Sequence, residues 1–235
     1  MLKAVLFDLD GTLLPMDQDE FVKYYFGAMA NKFATKGIDA KLLMKAVIAG
    51  TDAMVKNDGT VKNEVCFWNV FDQIMQMDHR VLENDFIDFY ENEFDTVKKA
   101  CGFNPHSREV IELFKQKGIR LICATNPLFP EIATKKRIQW AGLNVDDFEL
   151  ITTYEKCSFC KPNPEYYAEI LRICGLNSDE VIMVGNDVQE DMVAKTIGID
   201  VALITDNLIH RKDNDIQAYF VGTMEEFKAF IPTLA

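Results

Sequence analysis

The chain has no apolar stretch near the roughly 20 residues that a membrane-crossing helix needs, so no span of that kind is expected. Its first residues also lack a basic segment, a long apolar core and a cleavage site. No secretory leader is therefore expected, and a cytoplasmic location is. Histidine is scarce: His79, His106 and His210 lie far apart, with no nucleophile-elbow glycines, which argues against a hydrolase triad. The Walker-type phosphate loop and the dinucleotide glycine fingerprint are both missing. Positive charge is short as well, 25 Lys and Arg against 37 Asp and Glu, for a formal net charge of −12. The deficit is shared, with ten basic against fifteen acidic residues over 16–100 and fourteen against twenty over 101–235. Such a balance argues against a surface that binds nucleic acid. The six cysteines are scattered and read as free thiols. Cys157-Ser158-Phe159-Cys160 has the look of half a zinc site, but no second Cys or His pair follows at finger spacing.

What remains is an ordinary globular composition, 49% hydrophobic and 26% charged over 235 residues. That length holds one large domain, or one domain carrying an insertion. After Pro15 the pattern is helical to about residue 100, with segments near 20–35 and 40–55. Two further stripes follow, Phe67, Val70, Phe71, Ile74, Met77 and then Leu82, Phe86, Phe89, Phe94, Val97. These predict a four-helix unit over 16–100 whose aromatic stripe is its own core. Asp17, Asp19 and Glu20 at its entrance suit a helix N-terminus.

Elsewhere the rhythm alternates. Strands are expected at 4–7, 119–124, 148–151, 181–184, 201–204 and 219–221. Helices are expected near 107–117, 130–141, 164–174 and 190–197, with a short one after Thr223. Strands alternating with helices predict an α/β fold, a doubly wound parallel sheet covered on both faces. The core would then comprise 1–15 and 101–235.

In such a sheet ligands bind beyond the carboxyl ends of the strands. The polar residues gather at those ends. Asp8 and Asp10 close the first strand, Thr125 and Asn126 follow the second, and Asp187 and Asp191 follow 181–184. Lys161 stands in the loop Cys160-Lys161-Pro162-Asn163-Pro164. Each alone could be a turn residue or a helix cap. A calcium loop fits poorly, because Gly11 comes too early and a strand precedes it. Together they point to a cation, since unpaired ionised carboxylates are costly to bury. Clustered carboxylates meeting a phosphate suit Mg²⁺. A carboxylate attacking a phosphoryl group needs a metal and a lysine to offset like-charge repulsion, and a threonine hydroxyl can hold a remaining oxygen. The set is complete for phosphoryl transfer through an aspartyl intermediate.

Asp8-Leu9-Asp10-Gly11-Thr12, Thr125, Lys161 in Lys-Pro-Asn-Pro, and Gly185-Asn186-Asp187 with Asp191 resemble the four motifs of the haloacid dehalogenase superfamily, spread over the whole chain. The resemblance implies a Rossmann-like core with an α-helical cap after the first motif. It implies Asp8 as nucleophile, Asp10 as general acid and base, and Thr125, Asn126 and Lys161 at the phosphoryl group. Magnesium would be held by Asp8, Asp187 and the backbone carbonyl of Asp10, with Asp191 acting through water or lysine. Asn186 departs from the pattern, which often runs Gly-Asp directly. Within the superfamily, dehalogenases lack an acid two residues after the nucleophile, so Asp10 favours phosphate esters, whose leaving oxygen needs a proton. The expected activity is Mg²⁺-dependent hydrolysis of a small phosphorylated metabolite. The rivals are a sugar phosphomutase of the same fold and a non-catalytic binding or regulatory protein that keeps it.

Overall fold

Four apolar residues, Ala4–Phe7, form a wholly buried strand, β1, in a computed structural model that describes residues 1–212 and 216–234. The chain then leaves the sheet for four helices, α1 (Gln18–Ala34), α2 (Ala40–Val55), α3 (Asn63–Met75) and α4 (Glu83–Glu91). It returns as α5 (Pro105–Gln116), β2 (Arg120–Cys123), α6 (Glu131–Trp140), β3 (Leu150–Ile151), α7 (Pro164–Cys174), β4 (Val181–Gly185), β5 (Asp200–Ile204), β6 (Phe220–Gly222) and α8 (Met224–Phe230). The six strands make one sheet of order β3-β2-β1-β4-β5-β6, parallel throughout.

Strand parity sorts β1 between two layers. Val5 and Phe7 pack with Val110 and Phe114 of α5 and Phe227 of α8, whereas Ala4 and Leu6 pack with Tyr166 and Ile170 of α7. The doubly wound α/β reading is thus the observed one. Chain order reverses at β1, with β2 on one side and β4 on the other, so a crevice opens beyond their carboxyl ends.

Local chemistry sets the helix ends. Asp17 caps α1 by accepting from the Glu20 amide at 3.0 Å, so the acids at 17–20 serve the helix N-terminus. Asn163 caps α7 the same way, with Pro164 at its first turn and Gly175 in the left-handed conformation beyond its end. Two expected helices differ. The stripe from 82 to 97 breaks at Asn92, whose amide donates to the Asp88 carbonyl at 3.2 Å and its carboxylate at 2.7 Å. That side chain competes with the backbone ladder, and the chain continues as a 3₁₀ segment, Glu93–Ala100. The segment after Asp191 is also 3₁₀, Met192–Ile197.

The two connections to the inserted helices run side by side. Met16 and Cys101 form an antiparallel bridge, and the Gly102 amide donates to the Pro15 carbonyl at 2.7 Å. The aromatic stripe is buried, and it does more than fill its own unit. Phe94 stacks on Trp140 of α6 at 5.0 Å, and Phe129 meets Phe21 at 5.9 Å, so the inserted helices and the sheet layer share one apolar cluster. Among the described residues no helix is long and apolar enough to cross a membrane.

Candidate active site

Asp8 is placed by the ladder it ends. Its amide donates to the Val184 carbonyl at 2.9 Å, which carries β1 one residue further and aims the carboxylate over the crevice. The chain then turns tightly, with the Gly11 amide donating to Leu14 at 2.7 Å. Gly11 sits at φ +85°, and a Cβ there would lie 2.3 Å from the Asn186 side-chain nitrogen. Only glycine fits both conditions. The Thr12 hydroxyl lies 3.2 Å from Asp8 Oδ2 and 3.0 Å from Asn186 Oδ1, offering one proton to two acceptors. Asn186 in turn donates to the Asn207 carbonyl at 2.6 Å. The residue that departs from the family pattern thus ties the first turn to the loop after β5.

Lys161 is 1% exposed and stands between two carboxylates, 2.8 Å from Asp8 Oδ1 and 2.7 Å from Asp191 Oδ1. Asn126 fixes its backbone, accepting from the Lys161 amide at 3.2 Å and donating to its carbonyl at 3.4 Å. The same amide group donates to Glu190 at 3.1 Å. Thr125 is buried after β2, and its carbonyl accepts from the Thr152 hydroxyl at 2.6 Å and the Tyr166 phenol at 2.8 Å.

Asp191 reaches Lys161 only because Gly185 lacks a side chain. A Cβ on Gly185 would stand 2.1 Å from Asp191 Oδ2 and 2.8 Å from its Cβ. The clash involves the base of the aspartate, so a rotamer change does not relieve it. Gly185→Ala is expected to cost about 1–3 kcal/mol of stability by overpacking. It should also loosen Lys161 and lower any activity. Thermal melting of the purified variant checks this, and an unchanged Tm would sink it.

The other acids have partners of their own. Asp187 Oδ1 accepts from the amides of Gln189 and Glu190 at 2.9 and 3.1 Å, and Oδ2 pairs with Arg211 at 2.6 Å. Asp10 is bound by Arg137 of α6 through Oδ2, while its Oδ1 is buried without a partner among the described residues. The Arg137 guanidinium lies 4.5 Å above the Phe129 ring, and its side chain is 1% exposed.

Burial dominates the electrostatics. It pushes the Asp8 carboxyl up to about 7, with Asp191 and Asp10 adding to the rise and Lys161 opposing it. Asp10 is raised for the same first reason, against Arg137 and Lys161. Burial alone would lower the Lys161 ammonium, yet Asp191 and Asp8 outweigh it and hold the group well above its usual value. Four aspartates, Asp8, Asp10, Asp187 and Asp191, thus line one crevice. This all-oxygen donor set fits a hard cation such as Mg²⁺. A separate acidic group, Asp72, Asp78 and His79, lies in the inserted helices. Its members are engaged with their own neighbourhood, His79 Nδ1 2.9 Å from Asp72 and Asp78 paired to Arg80.

A family model described as haloacid dehalogenase-like hydrolase matches residues 2–198. The chain belongs to that family. Among similar sequences, phosphoglycolate phosphatase of Neisseria gonorrhoeae is 25% identical over 84% of this chain and 77% of its own. Glyceraldehyde 3-phosphate phosphatase of Methanothermobacter thermautotrophicus is 23% identical over 98% of this chain and 100% of its own. A 2-haloacid dehalogenase from Pseudomonas syringae superimposes with a TM-score of 0.64 at 15% identity over the whole of both chains. The fold of this haloacid dehalogenase-like hydrolase is therefore shared by enzymes named for different reactions, and its own side chains must decide the chemistry.

All seven residues singled out in the sequence converge on this crevice: Asp8, Asp10, Thr125, Asn126, Asp187 and Asp191 line one cavity, and Lys161 bonds two of them. Arg137, Arg211, Glu190 and Thr12 were not singled out. Thr12 is the last residue of the first motif and was given no role of its own. Arg137 ends the run Lys135-Lys136-Arg137, which by sequence alone looks like a solvated basic face.

Proposed function

We propose that the chain is a Mg²⁺-dependent phosphatase of small phosphomonoesters that reacts through an aspartyl phosphate on Asp8. Residues 16–100 act as its cap, over a core of 1–15 and 101–235. The observation that carries this reading is that two carboxylates, Asp8 and Asp10, face one cavity with the buried ammonium of Lys161 on the first of them. The phosphatase names of the similar sequences support it.

Lys161 keeps Asp8 in place and draws charge from the phosphoryl oxygens, while the Thr125 hydroxyl holds another of them. An Asp8 oxygen attacks phosphorus, and the bond to the leaving oxygen breaks. That oxygen takes a proton from Asp10, whose carboxyl is raised by burial. Arg137 occupies Oδ2 of Asp10, which leaves Oδ1 for this transfer. Asp10 then takes a proton from water, which attacks the aspartyl phosphate and frees Asp8 and inorganic phosphate. Asp8, Asp187 and the Asp10 carbonyl would hold Mg²⁺, which when bound offsets the charge between nucleophile and phosphate.

Exhaustive chelation is expected to lower the phosphatase rate at least about 10²-fold, with Mg²⁺ restoring it and circular dichroism unchanged. Inorganic phosphate should appear in step with the alcohol product, whereas a mutase would return the phosphoryl group to substrate. A rate indifferent to chelation would remove the metal from this reading.

A further inference from the structure

The cavity over Asp8 and Asp10 has a volume of about 690 Å³, far more than a phosphoryl group fills. The remainder must receive the leaving group, and part of its wall is an aromatic cluster. Phe21 and Tyr25 come from α1, Trp68 from α3 and Tyr90 from α4, with Phe129 and Tyr154 below. Gln18, Thr51, Asp52 and Glu83 are polar lining residues beside them. The phenols of Tyr25 and Tyr90 bond each other at 2.8 Å. An aromatic or aliphatic group buries apolar area on these rings at no cost in hydrogen bonds.

The charges are one-sided. Glu64 and Glu155 line the cavity, and Glu155 has one carboxylate oxygen buried without a partner among the described residues. The Glu64 carboxyl is pushed up by burial and by the charge of Glu155. Among the described lining residues nine are carboxylates, Asp8, Asp10, Asp52, Glu64, Glu83, Glu155, Asp187, Glu190 and Asp191, and two are basic, His79 and Arg211. Arg211 holds Asp187 at 2.6 Å, while His79 meets Asp72 at 2.9 Å and stacks on Trp68 at 4.5 Å. A second negative group on a substrate would enter among carboxylates that outnumber the basic side chains.

We infer that the leaving group is an apolar alcohol, aromatic or branched aliphatic, that carries no negative charge of its own. This rests on the phosphatase reading above and names its substrate class. It separates the chain from any enzyme whose substrate bears a carboxylate beside the phosphate.

The test compares substrates of one shape. With Mg²⁺, kcat/KM for benzyl phosphate is expected to exceed that for 4-carboxybenzyl phosphate and phosphoglycolate at least about 100-fold, and that for glucose 6-phosphate at least about 10-fold. Glu64→Gln should narrow the gap between the two benzyl esters. Equal or better turnover of either carboxylate, or of the sugar phosphate, would overturn the inference. If no ester is hydrolysed, the phosphatase reading fails, and the cavity is judged by binding alone. Trp140→Phe leaves Trp68 as the sole tryptophan, and its fluorescence is titrated with benzyl alcohol and 4-(hydroxymethyl)benzoate. Tighter binding of benzyl alcohol supports the apolar, uncharged site, and equal or tighter binding of the benzoate refutes it.

Discussion

Asp8→Asn is expected to lose at least about 10³-fold in kcat while keeping the fold, because the nucleophile and not the packing is removed. The amide has nearly the same shape, and its oxygen can still accept from Lys161, which stays paired to Asp191 at 2.7 Å. Asp8 is also a carboxylate that burial disfavours, so a neutral replacement removes no net stabilisation. The melting temperature should therefore stay within about 4 °C of the parent for a chain of this size. Single-turnover mixing would read the missing aspartyl phosphate directly. A folded variant that keeps the parental rate, with deamidation excluded by mass spectrometry, would end the covalent mechanism.

Lys161→Met should do the opposite, damaging fold and rate together. Methionine replaces most of the buried stem, so little cavity is left, and the effect comes from the lost charge. Asp8 and Asp191 then face each other without the ammonium that stood 2.8 and 2.7 Å from them. Breaking a buried pair from one side costs about 3–5 kcal/mol. The cost depends on pH in a defined sense. Asp8 already sits near 7 in the folded chain against 3.8 in the unfolded one, and losing Lys161 raises it further. A folded carboxyl raised above its unfolded value binds more protons than the unfolded chain, so stability falls as pH climbs from about 4 through about 7. Urea midpoints in metal-free buffer at pH 5 and pH 8 should thus show the larger deficit at pH 8. An equal deficit at both would mean that packing, not charge, is what Lys161 supplies.

The legible part of this molecule was the part written in local sequence. A buried strand needs only a short apolar run, and Ala4–Phe7 and Val181–Gly185 have that whatever surrounds them. Chain order then carries the acids to one edge, because parallel strands all end on the same side. What stayed hidden depends on facing. Lys135, Lys136 and Arg137 are consecutive, yet only Arg137 turns inward to Asp10, and which of three neighbours does so is set by how α6 docks. Phe67 and Phe86 belong to the stripe that fills the inserted unit, and both also line the cavity. Spacing cannot divide one aromatic surface between packing and a pocket. The break at Asn92 was masked because apolar spacing runs on through it, while a single side chain interrupts the ladder.

The central position of β1 has a consequence for how the protein is made. Ala4 pairs with Arg120 on one side and Val181 on the other, so the first strand synthesised waits for partners from far down the chain. At about 5–20 residues per second the wait for β4 lasts roughly 10–35 s. During that time the helices of 18–91 can form from local contacts and β1 can pair with β2, but the other edge of β1 stays open until β4 arrives. Sheet assembly from β1, β2 and β4 is therefore the slow step. A nascent chain stalled before residue 181 should expose that edge to chaperones and carry no assembled crevice, since Asp187 and Asp191 have yet to be synthesised.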